Sequence, residues 1–108
     1  MDRQTLDESL SRYSEAVVDY LSPQAIILYG SQARGNATED SDIDIAVVVD
    51  TLDGDILQLE SYLYGLGIDI DDRIEPLVFV DGDDPSGFLR HVRKTGRVIY
   101  KRTVPGNR

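Results

Sequence analysis

Hydrophobic residues recur every three or four positions along the first part of the chain, and this spacing predicts an amphipathic helix. Its apolar positions are Leu6, Leu10, Tyr13, Val17 and Leu21, and Ser22-Pro23 ends it. A second helix is predicted from near Asp53 to Gly65 or Gly67. A short third helix is predicted near residue 90, with Phe88, Leu89 and Val92 on its core face and His91 at the surface.

Shorter apolar runs between these helices predict four β-strands. They cover Gln24 to Tyr29, Asp42 to Val49, part of residues 68–80 after a polar approach at 69–73, and residues 97–101. The predicted order α-β-β-α-β-α-β is an α/β (α+β) arrangement, a small mixed β-sheet covered by helices. No linker or internal repeat interrupts the sequence, so residues 1–108 are predicted to form a single domain.

Two aspartates open the second predicted strand, and they are the first candidates for chemistry. Asp42 and Asp44 are two residues apart, so their side chains are expected on the same face of the strand. Two close carboxylates repel each other, but Mg²⁺ removes that penalty when it binds them together with phosphate oxygens. A bare Asp-x-Asp also fits a solvated strand edge, and the same pattern occurs at 69–71 and 81–83. Neither of those copies has a glycine turn before it and a long apolar strand after it.

A glycine turn follows the first predicted strand. Gly30 permits a tight backbone and the close approach of a phosphate group. Ser31 is predicted to be the N-cap of a short helix that Gly35 ends, and exposed backbone N–H groups at a helix start favour anions. Arg34, one turn further on, is expected to reach the same phosphates or to pair with an acid across the site. Tyr29, directly before the turn, is the tyrosine that is expected to touch a nucleotide.

The combination of the two motifs resembles the minimal nucleotidyltransferases of the DNA polymerase β superfamily. Their signature is Gly-Ser, ten residues, then Asp-x-Asp, and this sequence has it without insertion or deletion. The resemblance extends over nearly the whole chain. The matching residues are Gly30, Ser31, Arg34, Gly35, Ser41, Asp42 and Asp44.

The resemblance implies a nucleotidyltransferase fold and a two-Mg²⁺ site when ATP is bound. Asp42 and Asp44 would be catalytic metal ligands. Glu75 is the candidate for the third carboxylate, with Asp71 and Asp72 as rivals. The implied phosphate-binding residues are Gly30, Ser31, Arg34 and Ser41.

The implied reaction moves AMP from ATP to a hydroxyl group, expected to be a tyrosine of a helical HEPN-type toxin, so that the chain acts as an antitoxin. The chain has no residues left for a helical acceptor-binding domain, so a second protein is expected to supply the acceptor. The alternative is a nucleotidyltransferase fold, weak or inactive as an enzyme, that neutralises its partner by binding alone.

Charge and composition narrow the class of protein further. The net charge is −9, yet residues 85–108 carry seven bases and no acid. This basic tail is either a solvated surface or a site for an acidic partner or phosphates. The acidic remainder disfavours long nucleic acid. Neither a membrane span nor a signal-peptide pattern is found, and cysteine is absent, so a cytoplasmic protein is expected. The excess of Asp and Arg over Glu and Lys is similar to proteins of salt-loving archaea.

Overall fold

The computed structural model describes residues 5–103, so Arg108 of the basic tail lies outside the described residues. Four helices alternate with four strands along this part of the chain. They are α1 (Leu6–Tyr20), β1 (Ala25–Tyr29), α2 (Ser31–Arg34), β2 (Ile43–Val49), α3 (Ile56–Ile68), β3 (Ile74–Val80), α4 (Phe88–Thr95) and β4 (Arg97–Lys101).

The four strands form one mixed sheet in the order β3-β2-β1-β4. Strand β1 is antiparallel to both of its neighbours, β2 and β4. Strands β2 and β3 are parallel, and α3 is the crossover helix that joins them. A crossover between parallel strands must return along the sheet, so α3 runs antiparallel to both. The end of α3 therefore lies near the start of β3.

Helices α1 and α3 cover one face of the sheet, which we call the inner face. Its core contains Tyr13 and Val17 from α1, Leu63 from α3, and alternate strand residues such as Ile26 and Ile45. The hydroxyl of Tyr13 donates to the carbonyl of Leu63 at 2.8 Å, which joins the two helices. All five side chains are completely buried. The burial of this face is therefore the main hydrophobic contribution to the fold.

Helix α4 covers part of the other face, which we call the outer face. Leu89 and Val92 pack there against Ala25, Ile27, Ala46 and Val48. Gly96 follows the helix, and a Cβ at this position would come within 2.7 Å of the Leu28 carbonyl oxygen. Glycine thus allows α4 to lie against the sheet. Because α4 has only eight residues, the outer face beyond it is left open.

The predicted mixed sheet covered by helices and the order of its long elements are confirmed. The short helix predicted after the glycine turn is also present as α2, and Gly35 ends it. Helix α3 begins at Ile56 rather than near Asp53, because the Asp55 side chain caps it by accepting the Leu57 N–H at 2.9 Å. Strand β3 begins at Ile74. Within residues 5–103, no helix is both long enough and apolar enough to cross a membrane.

Candidate active site

Three polar side chains form a row across the outer face, at the end of the sheet where β2 and β3 begin. Tyr29 is the register partner of Asp44 on the antiparallel side, and Glu75 is the register partner of Asp44 on the parallel side. Residues that are directly opposite on neighbouring strands share a face, so the three side chains are neighbours. Asp42 immediately precedes β2, two residues before Asp44. The predicted carboxylates are therefore brought to one end of the sheet.

The glycine turn closes tightly over this row. Gly30 has φ = 76°, a left-handed conformation, and a Cβ added there would overlap the Asp44 carboxylate. Two requirements thus select glycine at this position. Gly30, and not Ser31 as predicted, is the N-cap of α2, and Ser31 is its first helical residue. The reason is that the turn needs a positive φ at the cap, which serine rarely adopts.

The electrostatics of Asp44 differ from those of an ordinary surface carboxylate. Burial raises its pKa, and the neighbouring charge of Asp42 raises it further, while Arg34 acts in the opposite direction. Burial is also the main reason that the pKa of Tyr29 rises to about 12, and the charges of Asp44, Glu60 and Glu75 add to it. This end of the outer face therefore concentrates negative charge, which a bound cation would stabilise.

The structure separates the candidates for the third carboxylate. Asp71 is buried on the α1 side of the sheet. It forms an ion pair with Arg73 at 2.7 Å and accepts a hydrogen bond from the Ser9 hydroxyl at 2.6 Å. These contacts hold the pKa of Asp71 far below its usual range. Asp72 lies in the turn before β3, whereas Glu75 is exposed in β3 beside Asp44. Glu75 is thus the candidate that the sheet register favours.

Proline after Glu75 does not interrupt the sheet, because β3 is an edge strand. Backbone groups of alternate residues in a strand point in the same direction. The N–H of Val78 points outward, where it donates to Glu60 at 2.7 Å, so the nitrogen of Pro76 also points outward. A missing N–H at this position costs the sheet no ladder hydrogen bond.

Ser41 organises the loop that joins the two motifs. Its hydroxyl accepts the Thr38 N–H at 2.8 Å, and its carbonyl accepts the Gln32 amide at 3.2 Å. The guanidinium group of Arg73 donates to the carbonyl of Glu39 in the same loop at 3.2 Å. Ser41 therefore stabilises the loop that supports the site and is not among the residues that line the cleft. Its predicted phosphate contact stays a prediction.

A cleft of about 400 Å³ lies beside the row, between the glycine turn and α4. It is lined by Tyr29, Gly30, Ser31, Arg34, Asp44, Phe88, His91 and Thr95. The last three residues come from α4 and were not predicted as part of the site. Phe88, expected on the core face, is 40 % exposed, and it contacts Tyr29 and Phe79 with ring centroids 5.8 Å apart in both cases. Residues 88, 91 and 95 are three and four positions apart, so they share one side of a helix, and the sequence spacing could have predicted that they lie together.

Comparison with known proteins identifies the family. The family described as "Polymerase beta, Nucleotidyltransferase" matches residues 12–104. The chain belongs to this family. A protein of Methanocaldococcus jannaschii, named as a "putative protein adenylyltransferase", is 38 % identical over 76 residues, which are 69 % of this chain and 76 % of that protein. The nucleotidyltransferase resemblance drawn from the two motifs is thereby confirmed.

A solved structure of similar fold comes from Sulfolobus solfataricus. It is titled a "putative nucleotidyltransferase", and it aligns with a TM-score of 0.62 at 20 % identity over 94 % of this chain and 93 % of that one. The similarity confirms the nucleotidyltransferase fold, including the mixed sheet. At this identity, the likeness is one of fold alone.

The donor set of this nucleotidyltransferase suits a hard divalent cation. Asp42 and Asp44 supply two adjacent carboxylates whose mutual repulsion a cation relieves, and Glu75 supplies a third on the next strand. Among residues 5–103, however, no three acidic, histidine or cysteine side chains already converge as a complete ligand set. The carboxylates fit Mg²⁺ in chemistry and lie at the same end of the sheet, and their side chains would have to come closer together to complete the ligand set.

Proposed function

We propose that this chain transfers AMP from ATP to a hydroxyl group of a partner protein. The observation that carries the proposal is the row of Tyr29, Asp44 and Glu75 beside the Gly30 turn. Transfer from a nucleoside triphosphate needs a turn that a phosphate group can approach closely and carboxylates next to that turn. The name of the Methanocaldococcus relative supports a protein as the acceptor.

The reaction asks the chain mainly for placement and charge. The oxygen of the acceptor hydroxyl attacks the α-phosphorus of ATP while its proton passes to solvent. The bond from the α-phosphorus to the oxygen that bridges the α- and β-phosphates breaks, and pyrophosphate leaves. The first N–H groups of α2, those of Ser31 and Gln32, have no acceptor within the helix and would bind the departing phosphates. Arg34, which lines the cleft, would neutralise part of their charge.

Magnesium ions are the expected cofactor, two of them when ATP is bound. Asp42 and Asp44 would hold one, Glu75 would share the second, and the ions would supply charge neutralisation on the triphosphate and Lewis acidity toward the acceptor hydroxyl. Without a cation, the burial that raises the pKa of Asp44 disfavours its ionised form.

The proposed acceptor is a tyrosine of a HEPN-type helical toxin, and the chain would be its antitoxin. Residues 5–103 form one sheet with its covering helices and contain no separate acceptor-binding unit. A partner that carries its own acceptor hydroxyl suits such a chain. In this proposal, the modification of the toxin inactivates it.

A second candidate function is neutralisation by binding alone. The incomplete convergence of the carboxylates among the described residues, together with the exposure of Glu75, favours this candidate. In it, the fold and the cleft persist, but the partner is held without a covalent change.

Label transfer distinguishes the two functions. The chain is mixed with a HEPN-type protein encoded beside it, Mg²⁺ and ATP labelled at either the α- or the γ-phosphate, at low and at high salt. The Asp42→Asn/Asp44→Asn double variant removes the proposed metal ligands. Asp81→Asn/Asp83→Asn is the matched control, because it neutralises an exposed Asp-x-Asp pair outside the cleft.

Label from the α position alone, lost in the Asp42/Asp44 variant and kept in the control, is the expected result. Mass spectrometry of the labelled partner then gives the modified residue. Label from the γ position would mean phosphoryl transfer and would overturn the mechanism. A stable complex without label would establish binding alone.

A further inference from the structure

Helix α3 carries an apolar stripe that no described residue covers. Leu57, Tyr64 and Ile68 are 70 %, 41 % and 48 % exposed. They are separated by seven and four residues, so they lie on one side of the helix, with Ser61 between them. The opposite side of α3 is already packed, with Leu63 and Gly67 buried. The helix is therefore apolar on both sides although only one side faces the core.

The lack of charge on α3 sets it apart from the rest of the chain. Charged residues make up 29 % of the sequence, yet Glu60 is the only one among the 13 residues of α3. The carboxylate of Glu60 accepts the Val78 N–H on β3, so it is occupied in the fold. A solvated helix in a chain of net charge −9 would be expected to carry acids. Exposed apolar residues without charge are typical of a contact surface.

The edge of β3 beside the stripe offers few N–H donors to an added β-strand. On the helical wheel, the stripe lies next to Glu60, which reaches the free edge of β3. The outward donors of that edge are used or missing, because Ile74 N–H bonds to Asp71, Pro76 has no N–H and Val78 N–H bonds to Glu60. A strand would find few partners there. A helix packs through its side chains alone, so a helix is the occupant that fits this surface.

The charges around the stripe favour a different protein, rather than a second copy of this chain, as its partner. Asp53 and Asp55 precede the helix, Asp69 and Asp72 follow it, and no Lys or Arg lies between residues 53 and 72. Two copies that packed through α3 would bring these acids together across a two-fold axis, which is unfavourable. A partner with bases at the corresponding positions would be attracted instead.

We propose that the α3 stripe is a docking surface for an amphipathic helix of another protein, one with an uncharged apolar stripe flanked by Lys and Arg. The inference does not depend on nucleotidyl transfer. Since α3 runs antiparallel to β2 and β3, its Ile68 end lies at the end of the sheet that carries Asp44 and Glu75. A helix docked on the stripe thus reaches the edge of the sheet beside the carboxylates.

Two synthetic helical peptides test the surface on the full chain. Both carry the same Leu/Ile stripe, and one is flanked by Lys and Arg whereas the other is flanked by Glu. Binding is measured by fluorescence anisotropy at 0.15 M salt for the natural chain and for Leu57→Gln/Ile68→Gln. Val98→Gln is the matched control, since Val98 is 52 % exposed on β4, away from α3. Tyr64→Lys is a second variant, in which an added base should repel the basic peptide.

We expect the basic peptide to bind at least about tenfold more tightly than the acidic one, a difference of about 1.4 kcal/mol. The double Gln variant and Tyr64→Lys should each weaken it by about tenfold or more, and the control should not. Equal binding of the two peptides, or binding that survives both stripe variants, overturns the proposal. So does a dimer of the chain alone in light scattering that the double Gln variant dissociates, because the occupant is then a second copy.

Discussion

The two faces of the sheet treat their carboxylates in opposite ways. On the side of α1, Asp71 is buried but receives hydrogen bonds from Ser9 and Arg73, and its pKa is strongly lowered. On the outer face, Asp44 is partly buried beside Asp42 and Glu75, and its pKa is raised. Among residues 5–103, no side chain donates a hydrogen bond to Asp44.

The difference separates a carboxylate that stabilises the fold from one that is available for chemistry. Breaking a buried ion pair leaves an uncompensated charge and is strongly destabilising. When the fold disfavours the charge of a carboxylate, the binding of a cation stabilises the ionised form. Asp71 is thus expected to matter for folding and Asp44 for function, although both lie in Asp-x-Asp patterns of the same sequence.

The largest expected effect is on activity, from Asp44→Asn. The loss of a ligand that stabilises the transition state should lower the rate of α-label transfer by about 10³-fold. The free energy of unfolding should stay within about 0.5 kcal/mol of the natural value, because the fold already disfavours the charge of Asp44. Initial rates and urea unfolding measure the two quantities. Asp81→Asn serves as the control, and a variant that keeps its transfer rate would remove Asp44 from the site.

The converse is expected of Asp71→Asn, which should lower the free energy of unfolding by roughly 3 kcal/mol. The amide cannot accept all of the charged hydrogen bonds from Arg73, whose side chain is only 11 % exposed. Asp7→Asn is the matched control, because the Asp7–Arg97 pair is exposed and should contribute less than about 1 kcal/mol. Urea unfolding that gave similar losses for both variants would contradict the contrast between the two faces.

Local spacing was enough to predict the motif side of the site. Strand periodicity predicts that Asp42 and Asp44 share a face, and the family resemblance adds Glu75, at the start of the next apolar run, as the candidate third carboxylate. The register of β2 with β3 agrees with these expectations because few alternative pairings bury both strands. The N-cap at Gly30 was missed, since local spacing shows neither the positive φ of the turn nor the close approach of Asp44 from another strand.

The α4 side of the cleft could not be predicted in the same way. The rotation of α4 is set by Leu89, Val92 and Gly96 against the sheet, and this rotation turns Phe88 and His91 toward the cleft. The Asp71 pair is also non-local, because Ser9 is 62 residues away in the chain. The spacing of residues 88, 91 and 95 places them on one side of α4, but which element that side faces depends on the assembled fold, as does the contact between Ser9 and Asp71.

Gly96→Ala tests whether the outer face is as tightly packed under α4 as the inner face is. The added Cβ would meet Ile27 and two backbone carbonyls, so we expect a loss of about 2 kcal/mol in the free energy of unfolding. Gly65→Ala is the matched control, because nothing lies within 4 Å of its Cβ position in α3. That change should be neutral or stabilise the helix by up to about 1 kcal/mol. Equal effects in urea unfolding would mean that α4 is loosely packed.

The smallest expected effect is the contribution of Asp44 to the pH dependence of stability, which should be opposite in sign to that of Asp71. The folded pKa of Asp71 is lowered, so its contribution is present above the unfolded pKa of about 3.9 and is lost as the pH falls below it. The folded pKa of Asp44 is raised, so the folded state binds more protons between the two pKa values and stability falls as the pH rises through them.

The stability of Asp44→Asn relative to the natural chain should therefore rise from pH 3 to pH 6, by less than about 1 kcal/mol because Asp44 is only partly buried. The stability of Asp71→Asn should instead approach that of the natural chain as the pH falls below about 4. Urea unfolding across this range measures both slopes. Parallel curves for the natural chain and Asp44→Asn would show that the fold imposes no penalty on the Asp44 charge, and the reason for treating the two faces as different would then rest on Asp71 alone.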